Sequence, residues 1–359
     1  MEIIRIKNKN EYKKLVADFY RDDPDFINNK NGLIDLVCGH SHFRRLSTQE
    51  MVGVISGGEC ICVAVLICHK NDPENLMMAF FETREYRMDE VAFLIDHATA
   101  FGKRLGCKRL LVGLDGHCNN AIGFLSAGEG RPCFGQSYNP LFYNDYFREL
   151  DFDEVKLLSF KEDIPALNLK RFDIGRRLMP AGLKISCADF SRSGFRRTME
   201  LYTDLNNRIF GDHRYCFFRE YEEDYELFAS MRPLLDGDNL LFATRQGEMV
   251  GFLLWYPDFN ELVSARGQAG LSTFLRYRLL RQAPSAVKAV QVGVLSEFVN
   301  TGLILSLFGE FYKRATQKHK GLEVCLSSWI LEENQKSVRL SSQVLTQPYK
   351  EMSVYERTF

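Results

Sequence analysis

Residues 289–303 of the sequence, AVQVGVLSEFVNTGL, combine a strand, a short polar turn and the start of a helix. Residues 289–295 alternate or run apolar and are rich in valine, which predicts a buried strand. Apolar residues then recur with the spacing of one helical face, at Leu303, Leu307, Phe308, Phe311, Tyr312 and Ala315. The pattern therefore predicts a strand–turn–helix unit of an α/β fold.

The turn inside this stretch has the character of an anion site. We expect Asn300 or Thr301 to cap the helix, and Gly302 to let the backbone approach a ligand closely. No acidic residue occurs from Phe298 to Phe308, so the N–H groups at the start of the helix face no nearby carboxylate in the sequence. The turn is therefore predicted to suit a pyrophosphate.

The chain that follows gives this unit a recognisable context. A second strand, LEVCLSSWI, covers residues 322–330, LEEN at 331–334 opens another helix, and residues 349–357 form a last strand. This order resembles the acetyl-CoA-binding half of GNAT-family N-acetyltransferases. In that family the turn after the fourth strand grips the CoA pyrophosphate, and an Asn after the fifth strand contacts the cofactor. The resemblance implies a site for acetyl-CoA or another acyl-CoA at Val294, Leu295, Asn300, Thr301, Gly302, Leu303 and Asn334.

The whole chain resembles the tandem-GNAT group of putative N-acetyltransferases. An Asn-Pro-x-x-Tyr segment at residues 138–143 precedes a helix and an aromatic stop at Phe152, as in that group. Independently, the order of helix, hairpin, strand, helix, strand, helix and strand occurs twice. We expect an α/β (α+β) protein with two tandem GNAT-like domains, each a mixed, mostly antiparallel twisted sheet flanked by helices. The predicted divisions are an N-terminal domain, a connector and a C-terminal domain, at residues 1–163, 164–182 and 183–359.

The two copies differ at the turn that would hold a cofactor. In the first copy this turn, residues 82–90, has no glycine and ends in Asp89 and Glu90. Acids at a helix N-terminus stabilise it by about 0.5 kcal/mol, but they would repel a pyrophosphate. We therefore expect the N-terminal domain to lack a CoA site and to be structural or to help form the acceptor site.

The chemistry of amide formation suggests further candidates. A thioester is attacked by a neutral amine, so a carboxylate or a water chain must take the amine proton. Glu332 and Glu333 are the candidates for this role, although the alternative is that they are ordinary first-turn acids of a helix. The backbone N–H groups of Val294 and Leu295 are the candidates for binding the developing oxyanion.

Three positions depart from the family pattern and keep a second function open. Val299 stands where the family has Arg or Gln, and Ile304 stands where it has a small residue. Ser341 falls where many GNAT enzymes carry the Tyr that protonates the departing thiolate. The first hypothesis is an acyl-CoA-dependent N-acyltransferase acting on a small-molecule or peptide amine. The alternative is a catalytically lapsed GNAT-fold binding or scaffold protein. A transferase that uses charged tRNA is a third idea.

Composition sets the remaining expectations. The formal net charge of −1 argues against a broad nucleic-acid footprint and disfavours the tRNA hypothesis. The first residues lack the apolar core of a signal peptide, and the longest apolar runs are short for a membrane span. Residues 38–42 carry metal-capable types but no second cluster at ligand spacing. We expect a cytoplasmic, soluble protein without a metal, nucleic-acid or membrane partner, and the sequence leaves the oligomeric state open.

Overall fold

The computed structural model describes residues 1–264 and 266–359. Its strands are β1 Glu2–Arg5, β2 Ser47–Ser56, β3 Glu59–His69, β4 Asp72–Thr83, β5 Arg109–Val112, β6 Phe124–Ala127, β7 Asp153–Asp163, β8 Leu183–Cys187, β9 Leu240–Arg245, β10 Glu248–Pro257, β11 Ala286–Val294, β12 Val324–Ser327, β13 Ile330–Leu331 and β14 Gln347–Thr358. Its α-helices are α1 Lys9–Phe19, α2 Lys30–Val37, α3 His42–Arg45, α4 Met88–Leu105, α5 Tyr143–Glu149, α6 Leu169–Leu178, α7 Phe195–Phe210, α8 Tyr221–Met231, α9 Leu271–Phe274, α10 Leu303–Lys318 and α11 Gln335–Val344.

The described strands form one continuous sheet that runs through both halves of the chain. Its order is β1-β2-β3-β4-β5-β14-β7-β12-β11-β10-β9-β8, with β6 beside β14 and β13 beside β7. Within the described residues only the pairs β4–β5 and β11–β12 are parallel, and the other pairs are antiparallel. This mixed, mostly antiparallel sheet flanked by helices confirms the predicted fold class.

The two halves exchange their last strands. The final strand of the chain, β14, lies between β5 and β7 of the first half. In turn β7, which ends the first half, pairs with β12 of the second half. Each half therefore completes the sheet of the other, and the division of the chain at residues 164–182 stays a prediction.

The sequence predicts strands best where a short turn joins them. The hairpin expected at residues 51–69 is present as β2 and β3, and both turn glycines, Gly57 and Gly58, have positive φ as such turns require. The strand expected at residues 322–330 is interrupted, because β12 ends at Ser327 and the chain turns before β13 pairs with β7. The interruption separates the chain from β11 and creates the opening described below.

Helices cover both faces of the sheet in the second half. Alternating residues of β10 divide between two apolar cores: Leu253 packs on the side of α6 and α10, and Phe252 packs on the side of α7 and α8. Both β10 residues are fully buried. Among the described residues, no helix combines the length and the apolar character needed to cross a bilayer.

Candidate active site

The sheet opens between β11 and β12. These parallel strands pair only from Ala286 to Ala289 on β11 and from Val324 to Ser327 on β12. Beyond Ala289, β11 continues to Val294 with β10 on one side and, among the described strands, no partner on the other. Backbone groups on this free edge can therefore meet a ligand.

A cavity of about 850 Å³ occupies this opening and reaches both faces of the sheet. On the side of α10 and α11 its wall includes Ile304 and Leu340, and on the opposite side it includes Phe228 and Phe274. The N-terminal half contributes to the same wall, for example through Leu33. A volume of this size and a mostly apolar wall are typical of ligand sites. The cavity joins two compartments through the sheet.

A turn and the start of a helix are present where the sequence predicted them, but the residue that caps the helix differs from the expectation. Neither Asn300 nor Thr301 caps α10, because the cap position belongs to Gly302, at φ +75°. The Thr301 hydroxyl instead donates to the Phe298 carbonyl at 2.8 Å. The glycine is needed for this left-handed conformation, and the first turn of α10 contains no acidic residue. The use of the N–H groups of this turn as an anion site stays a prediction.

Gly302 also has a role that the sequence did not reveal. A Cβ atom built on it would lie 2.5 Å from the Gly175 carbonyl oxygen and 2.9 Å from the Leu178 Cβ. Both neighbours belong to α6, so the close backbone approach at Gly302 is made by a helix of the predicted connector. Leu303, next in the chain, is fully buried. The glycine therefore fixes helix packing whether or not a cofactor binds beside it.

Of the two N–H groups predicted to bind the oxyanion, those of Val294 and Leu295, only one is free to do so. The Leu295 N–H group donates to the Val250 carbonyl at 2.9 Å, so β10 already uses it. Adjacent residues of an antiparallel ladder direct their N–H groups to opposite sides. The Val294 N–H group therefore points toward the free edge of β11, and of the two predicted donors Val294 is the one that faces the opening.

Asn334 lies in the cavity wall and also caps a helix. Its side-chain oxygen Oδ1 accepts a hydrogen bond from the Ser337 N–H at 3.2 Å, which fixes the start of α11. The same residue lines the cavity, as do Ser337 and Ser341 on the next turns of this helix. The structure thus places Asn334 where both of its expected roles are sterically compatible.

Glu332 and Glu333 lie outside the cavity wall. Both residues are exposed, and the Glu333 carboxylate pairs with Arg214 at 3.1 Å. Arg214 also forms an ion pair with Glu356 of β14 at 3.0 Å. This arginine therefore connects the loop after α7 to the final strand of the chain. The structure gives neither glutamate a contact with the opening, and their catalytic role stays a prediction.

A polar cluster faces the cavity at the free edge of β11. The Gln291 side-chain oxygen accepts hydrogen bonds from the Tyr202 hydroxyl at 2.8 Å and from the Asn206 amide at 2.9 Å. The Gln291 amide nitrogen lies 3.5 Å from the Asn119 Oδ1 atom of the N-terminal half. Residues from both halves thus meet in one network in a mostly apolar wall.

Two thiols and an imidazole line the same cavity, and none of the three is among the site residues predicted from the sequence. Cys118 comes from the N-terminal half, and His213 and Cys216 come from the loop after α7. The His213 ring lies 5.9 Å from the ring of Trp329, the second residue after β12. His213 and Cys216 are three positions apart, a spacing that brings two side chains together in a turn. This spacing is the only signal in the sequence for the pair.

These groups shift the pKa values of one another. The Cys118 thiol and then His213 hold the pKa of Cys216 below its ordinary value, against the opposite effect of burial. Burial and the interaction with Cys216 raise the pKa of the Cys118 thiol. The interaction with Cys216 raises the pKa of His213 in spite of burial. Cys216 is therefore easier to deprotonate and His213 easier to protonate than either group is when free, which suits the two side chains to proton transfer.

The part of the chain that the structure describes contains one group of metal-capable side chains, and it lies elsewhere. His42, Glu220 and Glu222 place their ligand atoms near one another. The Lys70 ammonium already binds Glu220 at 2.6 Å, so this group is an ion-pair cluster between the halves. Of the segment 38–42 considered in the sequence, His42 belongs to this group, whereas Cys38 and His40 do not.

Comparison with known proteins bears on the fold. No protein-family model matches the sequence. A bacterial ceramide synthase from Caulobacter vibrioides is 23% identical over 251 residues, which are 67% of this chain. The match covers 64% of that protein, so the chain spans slightly less than two thirds of its length.

Solved structures match over almost the whole chain. A tandem GNAT protein from the clavulanic acid biosynthesis pathway superposes with a TM-score of 0.57 at 11% identity, covering 99% of this chain and 98% of that one. A GCN5-related N-acetyltransferase from Sphaerobacter thermophilus gives a TM-score of 0.52 at 13% identity, covering 99% and 95%. Together with the strand order and the opening beside β11, these likenesses show that the chain has the tandem GNAT fold.

Proposed function

We propose that this protein is an acyl-CoA-dependent N-acyltransferase whose reaction takes place at the opening between β11 and β12. The observation that carries the proposal is the cavity, which passes through the sheet and connects its two faces. One face has the acid-free start of α10, and the other is closed by α8 and the N-terminal half. A donor and an acceptor can therefore enter from opposite faces and meet at β11.

The donor side is formed by three features of the chain. The free N–H groups of the first turn of α10 are suited to the pyrophosphate of CoA. The unpaired edge of β11 offers N–H and carbonyl groups to the amide-rich arm that follows the pyrophosphate. Asn334, in the cavity wall, is positioned to contact that arm. Of the residues predicted to bind the cofactor, Asn334 lines the cavity, Val294 ends the free edge of β11 and Gly302 caps α10, whereas this assignment leaves Leu295 out.

We further propose that the acyl group is long. An acetyl group would fill only a small part of a cavity of about 850 Å³. The wall is mainly leucine, phenylalanine and other apolar side chains, which favour an aliphatic chain through the hydrophobic effect. The Caulobacter relative is called a ceramide synthase, and a ceramide is an amide that joins a fatty acid to a long-chain amino alcohol. The corresponding acceptor is an amine attached to a long aliphatic chain.

The residues at the opening supply the proton transfer and the charge stabilisation. Acyl-CoA contributes a thioester whose carbonyl carbon is attacked by the neutral amine. The Cys216–His213 pair accepts the amine proton, because the lowered pKa of Cys216 favours the thiolate, which is a suitable base. When the carbon–sulfur bond of the thioester breaks, this proton passes to the departing sulfur, so that CoA leaves as the free thiol. The Val294 N–H group donates to the carbonyl oxygen as negative charge develops there. Gln291 and Asn119 orient polar groups of the acceptor.

The test uses the purified full chain and mass spectrometry of the amide product. Acetyl-, octanoyl- and hexadecanoyl-CoA are each supplied with a detergent-solubilised long-chain amino alcohol. We expect hexadecanoyl-CoA to exceed acetyl-CoA by about tenfold or more in rate, which is ~1.4 kcal/mol of transition-state binding. Cys216→Ser and His213→Asn should each lower the rate by about a hundredfold. Cys60→Ser, a thiol of β3 away from the cavity, is the matched control.

Two results would contradict the proposal in different ways. Faster turnover with acetyl-CoA would keep the reaction and reject the long acyl chain. Absence of product with every donor, together with absence of binding heat for each acyl-CoA and for free CoA, would favour the catalytically lapsed scaffold. That alternative is suggested by the turn before α10, in which Val299 and Ile304 replace the residues usual in this fold.

A further inference from the structure

One edge of the cavity mouth exposes a leucine-rich segment to solvent. The segment comprises α9 and the π-helical turn after it, and extends from Leu271 to Leu280. The exposed fraction is 74% for Leu271 and 66% for both Leu279 and Leu280. Leu275 between them is 40% exposed. Four exposed leucines within ten residues form an apolar patch, unlike a scatter of single apolar residues over a surface.

The leucine-rich segment is continuous with the cavity. Leu271 lines the cavity while most of its surface is exposed, so it marks the place where the cavity meets solvent. Phe274, on the next turn, lines the cavity as well. Leu33 and Leu227 are half-buried members of the same wall, from α2 and α8. An aliphatic chain could therefore pass from the exposed leucines into the cavity along an apolar path.

The charged residues of the chain around the segment are all arginines. Between Leu262 and Ser285 the sequence contains four arginines and no carboxylate. Arg278 is paired with Asp236 at 3.5 Å, whereas Arg266, Arg276 and Arg281 are exposed. Exposed leucines flanked by arginines are the composition of segments that lie in the interface of anionic membranes. This charge complementarity favours an anionic lipid surface over another apolar protein face.

We propose that the leucine-rich segment docks on an anionic lipid bilayer, so that the cavity mouth faces the membrane and receives an aliphatic substrate from it. The docking itself stands on the exposed leucines and arginines, whereas the delivery of substrate rests on the proposed function. The sequence led us to expect no membrane partner, because it shows no spanning segment. A surface-bound segment needs no such length: the leucines enter the interface while the arginines meet lipid phosphates.

The test is co-sedimentation of the full chain with vesicles of phosphatidylcholine alone or mixed with phosphatidylglycerol. We expect binding to the anionic vesicles that weakens as salt rises. The variant Leu275→Gln/Leu279→Gln/Leu280→Gln, which spares the cavity wall, should lower vesicle partitioning by about tenfold or more. The control Leu141→Gln/Leu169→Gln/Ile174→Gln changes three residues of similar exposure elsewhere and should bind like wild type. Arg276→Gln/Arg281→Gln should reduce binding at low salt and flatten its salt dependence.

Other outcomes would overturn the proposal. One is absence of binding to anionic vesicles, and another is equal loss in the two triple variants. A third is self-association that the Leu275/Leu279/Leu280 variant removes without any vesicle binding, which would assign the segment to a second copy of the chain. These results are independent of catalysis. Turnover of detergent-solubilised amine without vesicle binding would reject only the docking, and vesicle binding without turnover would reject only the proposed function.

Discussion

In the N-terminal half β4 pairs with β5 from Asn75 to Met78, and in the C-terminal half β11 pairs with β12 over an equally short stretch. Both longer strands then continue, β4 to Thr83 and β11 to Val294, without a parallel neighbour among the described strands. The two halves therefore repeat the same opening in the sheet. They differ in what fills it.

Side chains close the opening of the N-terminal half. The Tyr143 hydroxyl accepts a hydrogen bond from the Thr83 N–H at 2.9 Å and donates to the Glu82 carboxylate at 2.9 Å. The Asp115 carboxylate accepts from the Phe80 N–H at 2.6 Å, and Lys30 binds Glu82 at 2.8 Å. Backbone groups of β4 thus have internal partners, whereas the free edge of β11 faces a cavity. The side chains that fill the opening beside β4 stabilise the N-terminal half, whereas the opening beside β11 is left for a substrate.

The strongest test of this comparison closes the C-terminal opening. Ser341 lies on α11 in the cavity wall, and its neighbour Ser342 lies on the same helix outside that wall. Ser341→Phe places a ring in the cavity, so we expect the rate of amide formation to fall by about a hundredfold or more, ~2.7 kcal/mol. Ser342→Phe should keep the wild-type rate. Product mass spectrometry measures both, and equal rates in the two variants would show that the reaction occurs elsewhere.

The second test concerns the helix that follows each opening. The cap of α4 is Arg87, with ordinary negative φ, whereas the cap of α10 is Gly302, with φ +75° and α6 packed against it. Gly302→Ala adds a Cβ in a strained conformation and against backbone, so we expect a loss of about 2 kcal/mol or more in unfolding free energy. Gly321→Ala, whose Cβ would meet open space, is the control. Chemical denaturation compares them, and equal stability would reject the packing role.

The packing of Gly302 against α6 illustrates which features the sequence could predict and which it could not. The sequence predicts a close approach to the Gly302 backbone by a ligand, but the neighbour is Gly175 of α6, which lies 127 positions away and could not be inferred from local spacing. The hairpin at Gly57 and Gly58 was predictable, because its strands are adjacent in the chain. The exchange of β7 and β14 was not, because a strand pattern does not specify which edge the strand joins.

The residues of the candidate site also fall into those that the sequence could predict and those that it could not. Asn334 and Val294 could be placed because they follow or end strands of a recognisable order. Glu332 and Glu333 were chosen by their chemistry, yet the structure turns Glu333 to Arg214 on the surface. Cys118, His213 and Cys216 come from loops of different halves, and only the fold brings them to one cavity. The donor-side residues and the acid–base groups both stay predictions, and the sequence named only the donor-side residues among those that the proposed function uses.

The third prediction separates the two roles of Asn334 on the donor side. Aspartate also accepts the Ser337 hydrogen bond, so Asn334→Asp should keep the melting temperature. The new carboxylate lies near an anionic ligand and donates no hydrogen bond. We expect acyl-CoA affinity to fall about tenfold, on the order of 1.4 kcal/mol, by calorimetry. Asn334→Ala, which loses the cap, should cost about 1 kcal/mol of stability. Unchanged affinity in a folded Asp variant would remove Asn334 from the site.

The smallest expected effect comes from the corresponding turn of the N-terminal half. Asp89 and Glu90 occupy the first turn of α4, where carboxylates repel an anion and stabilise the helix dipole. Asp89→Asn/Glu90→Gln removes both charges at almost constant size. Because the opening beside β4 is filled by Tyr143 and its partners, acyl-CoA affinity should stay within about twofold of wild type by calorimetry. Stability should fall by only about 0.5 kcal/mol per charge. A large change in affinity would mean that the N-terminal half also holds the donor, and the contrast between the two openings would no longer separate structure from function.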